Sequence, residues 1–390
     1  MTERSEVQVA RQGGTAERGG EVTVPAEHST RSRVADDDEG IGLDELALAA
    51  RNHAMPLEAL RFDLTPAGLH YLLIHYDIPV VDATTWRLTV DGAVTHPFEL
   101  DLAALRALPS TTLPVTLECA GNGRARLRPR PVSQPWITEA VGTAEWTGVP
   151  LPALLRAAGV RDDAVDVVFT GADHGVERGV EQDYQRGLPI GEALREEVIV
   201  AYEMNGQPLP IQHGFPVRLV VPGWYGMAHV KWLRSVSISA APFEGYQNAV
   251  AYRLKDATEE AGEPVSRIQP RALMVPPGHP DFMSRNRFAS TGTHRLLGRA
   301  WSGLAPITRV EISTDGGAQW ADATVEPALG RWAWCRWTFA WSVTQPGGYE
   351  LLARATDAAG NIQPVDQPWN LQGMANNMTQ RIPVVVTIPR

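Results

Sequence analysis

The stretch Val115-Thr116-Leu117-Glu118-Cys119-Ala120-Gly121-Asn122-Gly123-Arg124 governs how the rest of the chain is read. A run with strand character delivers a lone cysteine directly into a turn that carries two glycines. Gly121 and Gly123 let the backbone approach a ligand closely and turn its N–H groups inward, as in an anion-binding nest. A thiolate suits a soft metal, and neighbouring positive charge favours the ionised form. The same letters also fit a small buried thiol ahead of a hairpin. No Cys-x-x-Cys or His-Glu-x-x-His accompanies the cysteine, which speaks against a zinc finger and a zincin. Arg124, Arg126, Arg128 and Arg130 follow at a spacing of two. In an extended segment they share one face, which reads either as a solvated basic loop or as a funnel for an anionic substrate.

A second dense stretch lies about ninety residues further on. His213-Gly214-Phe215-Pro216-Val217-Arg218 leads into a short strand, and Pro222-Gly223-Trp224-Tyr225-Gly226 leads to His229-Val230-Lys231-Trp232. His213, Arg218, His229 and Lys231 therefore bracket one strand and two tight turns. Phosphate recognition uses such donors, set on turns whose glycines permit close approach. Taken singly, each is equally a capped turn residue or an exposed cation; their joint occurrence points to a site.

Around these two stretches the chain has 390 residues, 44% hydrophobic and 21% charged, the profile of an ordinary globular protein of two domains or three. Two cysteines make no disulfide scaffold. No apolar run is long enough for a membrane-spanning helix, so no membrane association is expected. A net charge of −10 argues against nucleic-acid binding and requires any anionic ligand to be held by a local cationic pocket. No apolar stretch follows Met1, and Arg31 and Arg33 are separated by Ser32, so neither a secretory nor a twin-arginine signal is read. The expected location is cytoplasmic, with the periplasm left open. Residues 1–41 read as a flexible tail.

From 42 to 245, strands at 86–92, 165–170, 198–203, 217–221 and 233–239 are mixed with short helices at 43–50, 102–108 and 151–158. The absence of regular βαβ alternation predicts an α+β domain. From 262 to 390, β-rich segments separated by Asp315-Gly316-Gly317, Pro346-Gly347-Gly348 and Asp357 to Asn361 predict a small β-sandwich. In that domain Cys335 alternates with Ala333, Trp337, Phe339 and Trp341 and is expected in the core.

Glu118-Cys119-Ala120-Gly121-Asn122, His213 to Arg218 and His229 to Trp232 together resemble the sulfite oxidase family of molybdenum enzymes. Ser313 to Gly317 with Trp320 resembles its immunoglobulin-like dimerisation domain. Leu64 to His70 and Glu145 to Leu151 are similar to the sulfane dehydrogenase branch. The resemblance implies a molybdenum–molybdopterin cofactor, with Cys119 binding the metal beside the two sulfurs of the pterin dithiolene. It implies that Asp173, His213, Arg218, His229 and Lys231 hold the pterin and its phosphate. It also implies an active-site tyrosine, matched by Tyr252 with Tyr246 in competition, a homodimer, and a separate electron acceptor such as a cytochrome.

Family members that oxidise sulfite carry Arg-Asn-His before the first strand. Arg51-Asn52-His53 reproduces those letters far upstream, whereas His75 has the better spacing and sets Leu73 where the substrate arginine belongs. Gln372 and Gly123 also stand at arginine positions of animal enzymes. Losing guanidinium clamps weakens the grip on a small dianion. Arg51 and Arg124 are the candidates for holding substrate, Tyr252 for orienting it, and His53 and His75 as further cofactor contacts. The expected activity is two-electron oxygen-atom transfer on a small sulfur oxyanion or related anionic substrate. The alternatives are a reductase of a small oxide, of sulfoxide or nitrate type, at the same site, and a cofactor-free assembly module.

Overall fold

The structure, a computed structural model, describes residues 33–177 and 179–389. Its first helix, α1 (Leu43–Arg51), forms where the sequence predicts one, and it buries a charged residue. Leu43 and Leu46 point to solvent, 84% and 53% exposed, while Glu45 is buried. The reason is ionic: Glu45 pairs with the buried Arg130, whose guanidinium also donates to the Gly40 carbonyl at 2.7 Å. That anchor extends upstream. The Ala35 N–H donates to the Arg130 carbonyl and the Val132 N–H to that of Arg33, so residues 33–41 are docked rather than trailing. The remainder of the expected tail, residues 1–32, lies outside the described residues.

Two five-stranded sheets form the first domain. β1 (Leu88–Gly92) pairs with β2 (Phe98–Leu100). Asp101 then caps α2 (Leu102–Arg106), its carboxylate accepting from the Ala104 N–H at 2.8 Å. β3 (Thr111–Glu118) and β4 (Val141–Pro150) lead to α3 (Leu151–Ala158), which buries Leu151, Leu154, Leu155 and Ala158 and stops at Gly159 with φ +67°. There follow β5 (Asp166–Glu177), β6 (Val180–Pro189), β7 (Ile199–Met204), β8 (Gln207–Pro208), β9 (Arg218–Val220) and β10 (Leu233–Ser239). One sheet runs β2-β1-β10-β5-β6, with β1 parallel to β10. The other runs β3-β4-β7-β8, with β9 also on β7. The ends of β3, β5 and β9, with the loops beyond them, converge on one interior cleft.

The second domain is the expected sandwich. Strands 271–274, 292–301, 335–343 and 324–325 form one sheet, and a six-stranded sheet lies opposite. Trp337, Trp341, Val310, Leu351 and Ile382 fill the space between them, together with the buried Cys335. As expected, this thiol is a core residue.

The domains are joined through the residue before the lone cysteine of β3. Glu118 is 1% exposed and lies 3.0 Å from Nε of the equally buried Arg271, in the sandwich. Its carboxylate also accepts from Trp301 Nε1 at 2.8 Å and from Asn122 Nδ2 at 3.0 Å. Removing one partner leaves a charge buried and uncompensated. Arg271→Met is therefore expected to cost about 3–5 kcal/mol, whereas Arg156→Ala, which breaks an exposed pair with Glu196, is expected to cost under about 1 kcal/mol. Chemical unfolding of the two variants beside the parent chain checks the contrast.

Candidate active site

Cys119 sits at the end of β3, buried and free of any disulfide. Burial pushes its thiol pKa up, and the nearby Arg124 pulls it back down. The loop that follows is shaped by close contacts. Gly123 has φ +92°, and a Cβ there would lie 2.8 Å from Asn376 Nδ2. A Cβ on Gly121 would lie 2.7 Å from the Arg124 guanidinium, which lies over it. Both glycines are thus needed for close approach. The four arginines, however, share no face. A 3₁₀ turn at Arg124–Arg126 breaks the extended period: Arg124 is buried beside the cysteine loop, Arg130 is bound to Glu45, and Arg126 and Arg128 face out. Arg124 Nε donates to the Gln372 carbonyl at 2.7 Å and NH1 to that of Gln134 at 3.4 Å.

Inward from Cys119 lies a cleft of about 660 Å³. His70, Asp173, His213, Arg218, His229 and Lys231 line it with Tyr71, Tyr184 and Tyr252. Arg218, on β9, donates to the carbonyls of His213 (3.0 Å) and His229 (3.2 Å) and lies 4.8 Å over the Trp146 ring. Burial lowers its pKa to about 10. Lys231 Nζ donates to the carbonyls of Leu73 and Gln212. Burial and the charge of Arg218 lower its pKa; burial raises that of Asp173, against the pull of Lys231. The His213 pKa falls to about 2, mainly through burial, and that of His70 to about 4 for the same cause.

Outward from Cys119 a wider funnel of about 1570 Å³ opens between the domains. Arg124, Gln134, Trp136, Glu177, Gln372 and Met374 line it. Leu73, His75, Cys119 and Tyr252 line both spaces, so the cysteine stands at their junction.

Several sequence expectations are thereby corrected. Arg51 lies on the surface at the end of α1, donating to Asp77 at 3.1 Å, and lines neither space. His53 is exposed on an edge bridge to Leu72. Of that triplet only Asn52 turns inward, and it does so to accept from the Ile74 N–H and to donate to Gln134. Leu73 takes the position beside Cys119. His229 is in the cleft wall with both nitrogens engaged: Nδ1 accepts from the Val221 N–H and Nε2 donates to the Trp224 carbonyl, each at 3.0 Å. It builds the wall and presents its own carbonyl to Arg218, instead of offering a nitrogen to a ligand. Tyr252 lines the junction, whereas Tyr246 lines neither space. Residue-by-residue reading missed His70 and Tyr184. His70 was legible only as part of the Leu64 to His70 motif.

The donor set identifies the kind of ligand. Nε2 of His70, Nε2 of His213, Nε of Arg218 and Oδ1 of Asp173 are buried at this cleft with no hydrogen-bond partner among the described residues. Each such atom costs about 1–3 kcal/mol unless a ligand satisfies it. Among the described residues, no cluster of three His, Cys, Asp or Glu side chains could hold a metal. A metal bound beside Cys119 would therefore need most of its ligands from an organic chelator, for which those polar atoms offer hydrogen-bonding partners. A phosphorylated pterin carrying a dithiolene fits both requirements.

Comparison with known proteins agrees. Residues 75–247 match the oxidoreductase molybdopterin binding domain and residues 265–387 the Mo-co oxidoreductase dimerisation domain. The chain is 35% identical to sulfite oxidase of Gallus gallus over 85% of its own length and 75% of that protein. It is 32% identical to an NADH nitrate reductase of Solanum lycopersicum, over 84% of its own length but 39% of that protein. The chain thus spans about two fifths of the nitrate reductases it matches. The fold is that of the sulfane dehydrogenase SoxCD from Paracoccus pantotrophus, with a TM-score of 0.74 at 24% identity over 94% of this chain and 97% of that one. Fold and site together define a molybdopterin-dependent oxidoreductase. The chain belongs to the sulfite oxidase family, and its cofactor is molybdenum–molybdopterin.

The buried imidazoles also set a pH dependence. His229 is held neutral by burial, its pKa lowered to about 3. A histidine depressed in the fold takes up a proton on unfolding, so its contribution is present above about pH 6.5 and is lost as pH falls toward the folded value. In cofactor-free protein the unfolding midpoint is expected to fall between about pH 6.5 and 4. In His229→Gln that slope is expected to be shallower, as measured by denaturant titration across this range.

Proposed function

We propose that the chain oxidises a small sulfur oxyanion, or a related reduced sulfur anion, by two-electron oxygen-atom transfer, and passes the electrons to a separate carrier such as a cytochrome. The observation that carries this reading is the junction at Cys119, where the inner cleft lined by His70, Asp173, His213, Arg218 and Lys231 meets a funnel lined by Arg124. When bound, the cofactor supplies the oxygen-atom and two-electron chemistry. The residues of the chain position the reactants around it. Cys119 offers the thiolate. His213, Arg218 and Lys231, with His70 and Asp173, hold the polar rim of the pterin and its phosphate.

Arg124 is the substrate-holding cation, lining the funnel with its guanidinium fixed by the Gln372 and Gln134 carbonyls. Tyr252, which lines both the cleft and the funnel, orients the substrate. Burial raises the pKa of its phenol, so it remains a neutral hydrogen-bond donor. Leu73 and Gln372 supply no charge, and one guanidinium suits a singly charged head better than a compact dianion. The similarity to nitrate reductases supports a second reading, in which the same site reduces a small oxide. The four polar atoms of the cleft that have no hydrogen-bond partner among the described residues count against a cofactor-free module. The dimerisation domain supports a homodimer paired through the sandwich.

Purified protein is expected to contain about one molybdenum atom per chain, and Cys119→Ala to lose activity while keeping its circular dichroism. Arg124→Met should raise KM for an anionic substrate about 10–100-fold, the loss of a charged hydrogen bond. Metal analysis and steady-state kinetics with sulfite and thiosulfate check both. Absence of molybdenum in protein from cofactor-competent cells contradicts the reading.

A further inference from the structure

We infer that His75 and Glu177 form the proton exit from the reacting end of the cleft to solvent, an assignment that rests on the oxidative reading above. The chemistry requires such an exit. Adding the oxygen of one water to a substrate lone pair forms one bond to oxygen and breaks both O–H bonds of the water. Two protons and two electrons are released. The electrons leave to two equivalents of an oxidised one-electron carrier, and the protons leave to solvent, for which a base at the junction is needed.

Among the four residues that line both the cleft and the funnel, His75 is the one that carries a proton-accepting nitrogen to a partly exposed carboxylate. Its Nε2 lies 2.9 Å from Glu177 Oε2, with the two side chains 21% and 24% exposed. The carboxylate is held at the funnel wall by design of its surroundings. Gln247, 1% exposed, donates from Nε2 to the same Oε2 at 2.9 Å and reaches the Tyr76 hydroxyl at 3.2 Å. The imidazole is fixed edge-on between Tyr76 and Tyr184, with ring centroids 4.6 and 5.1 Å away.

The other titratable groups that face His75 lead nowhere. The Tyr184 hydroxyl donates to the Met227 carbonyl at 2.8 Å. Asp173 shares the inner cleft with His75 and feels the charge of Lys231, itself donating to two backbone carbonyls. Tyr252 and Tyr76 are buried phenols. His75, at the junction, and Glu177, on the funnel wall, are thus the hydrogen-bonded acid–base pair through which a proton can pass from the reacting space to the solvent-facing side. His75 touches the reacting space, and Glu177 acts through it as a positioning and relay residue.

The test uses the molybdenum-loaded full chain with sulfite as substrate and ferricyanide as acceptor. Glu177→Gln keeps a hydrogen bond to the imidazole but cannot take its proton. It is expected to lower kcat roughly 10–100-fold, within the range of general acid–base effects, with KM and molybdenum content unchanged and a displaced pH profile of kcat. Glu177→Ala is expected to regain kcat saturably on addition of formate, which replaces the missing carboxylate. Parent-like kcat in Glu177→Gln across the pH range overturns the relay. So does a loss that formate does not restore and that leaves the pH profile unmoved, since Glu177 then only packs Gln247 and Tyr76. Loss of molybdenum from both variants overturns it as well, by making the residue structural. If the parent chain itself oxidises neither sulfite nor thiosulfate, the oxidative reading fails and the relay falls with it; failure of the relay alone leaves parent activity intact.

Discussion

The buried ion pair between Glu118 and Arg271 is the constraint on which the site depends. It lies one residue from Cys119 and crosses from the first domain to the sandwich. A buried pair of this kind is a poor source of net stability, because desolvation offsets most of the attraction. What it supplies is position. The same carboxylate takes hydrogen bonds from Trp301 in the sandwich and Asn122 in the glycine loop, so the strand end, the loop and the second domain share one register. Further contacts follow that register, as when Arg124 donates across the domain boundary to the Gln372 carbonyl. The second domain therefore does more than offer a surface for pairing, since it supplies one wall of the funnel.

Within that frame, charge is managed by burial. The net charge of the chain is −10, yet its cleft gathers Arg218, Lys231, His70 and His213. Burial holds the two imidazoles neutral and depresses both cations. This leaves a cavity rich in donors at a modest local charge, suited to a polar, phosphorylated ligand. The funnel outside mixes apolar wall at Leu73, Trp136 and Met374 with the polar side chains of Arg124, Gln134, Glu177 and Gln372. The two halves meet at Cys119 and Tyr252.

Much of this was legible in the sequence because the information is local. The strand, lone cysteine and glycine turn at 115–124 are contiguous, and so are the turns that carry His213 to Lys231. The α+β and sandwich assignments followed from alternation and turn residues. What the sequence hid depends on distant partners. The helix at 43–51 was legible, but not that Arg130 draws Glu45 inward and leaves Leu43 and Leu46 in solvent. Arg51 and His53 carry the letters of a substrate motif, yet the chain reaches the junction only at Leu73 and His75. His229 looked like a ligand because a histidine on a turn gives no sign that both its nitrogens are taken by backbone. Glu177 lies at the end of a long strand and acquires its partner 102 residues away in the chain.

X-ray absorption at the molybdenum edge tests the central claim most directly, because it counts sulfur neighbours of the metal without reference to substrate. If Cys119 closes the coordination of a pterin-held molybdenum, Cys119→Ser must show one sulfur neighbour fewer than the parent protein, with the dithiolene sulfurs retained. An unchanged sulfur shell in that variant would place the thiol outside the metal's coordination and contradict the account.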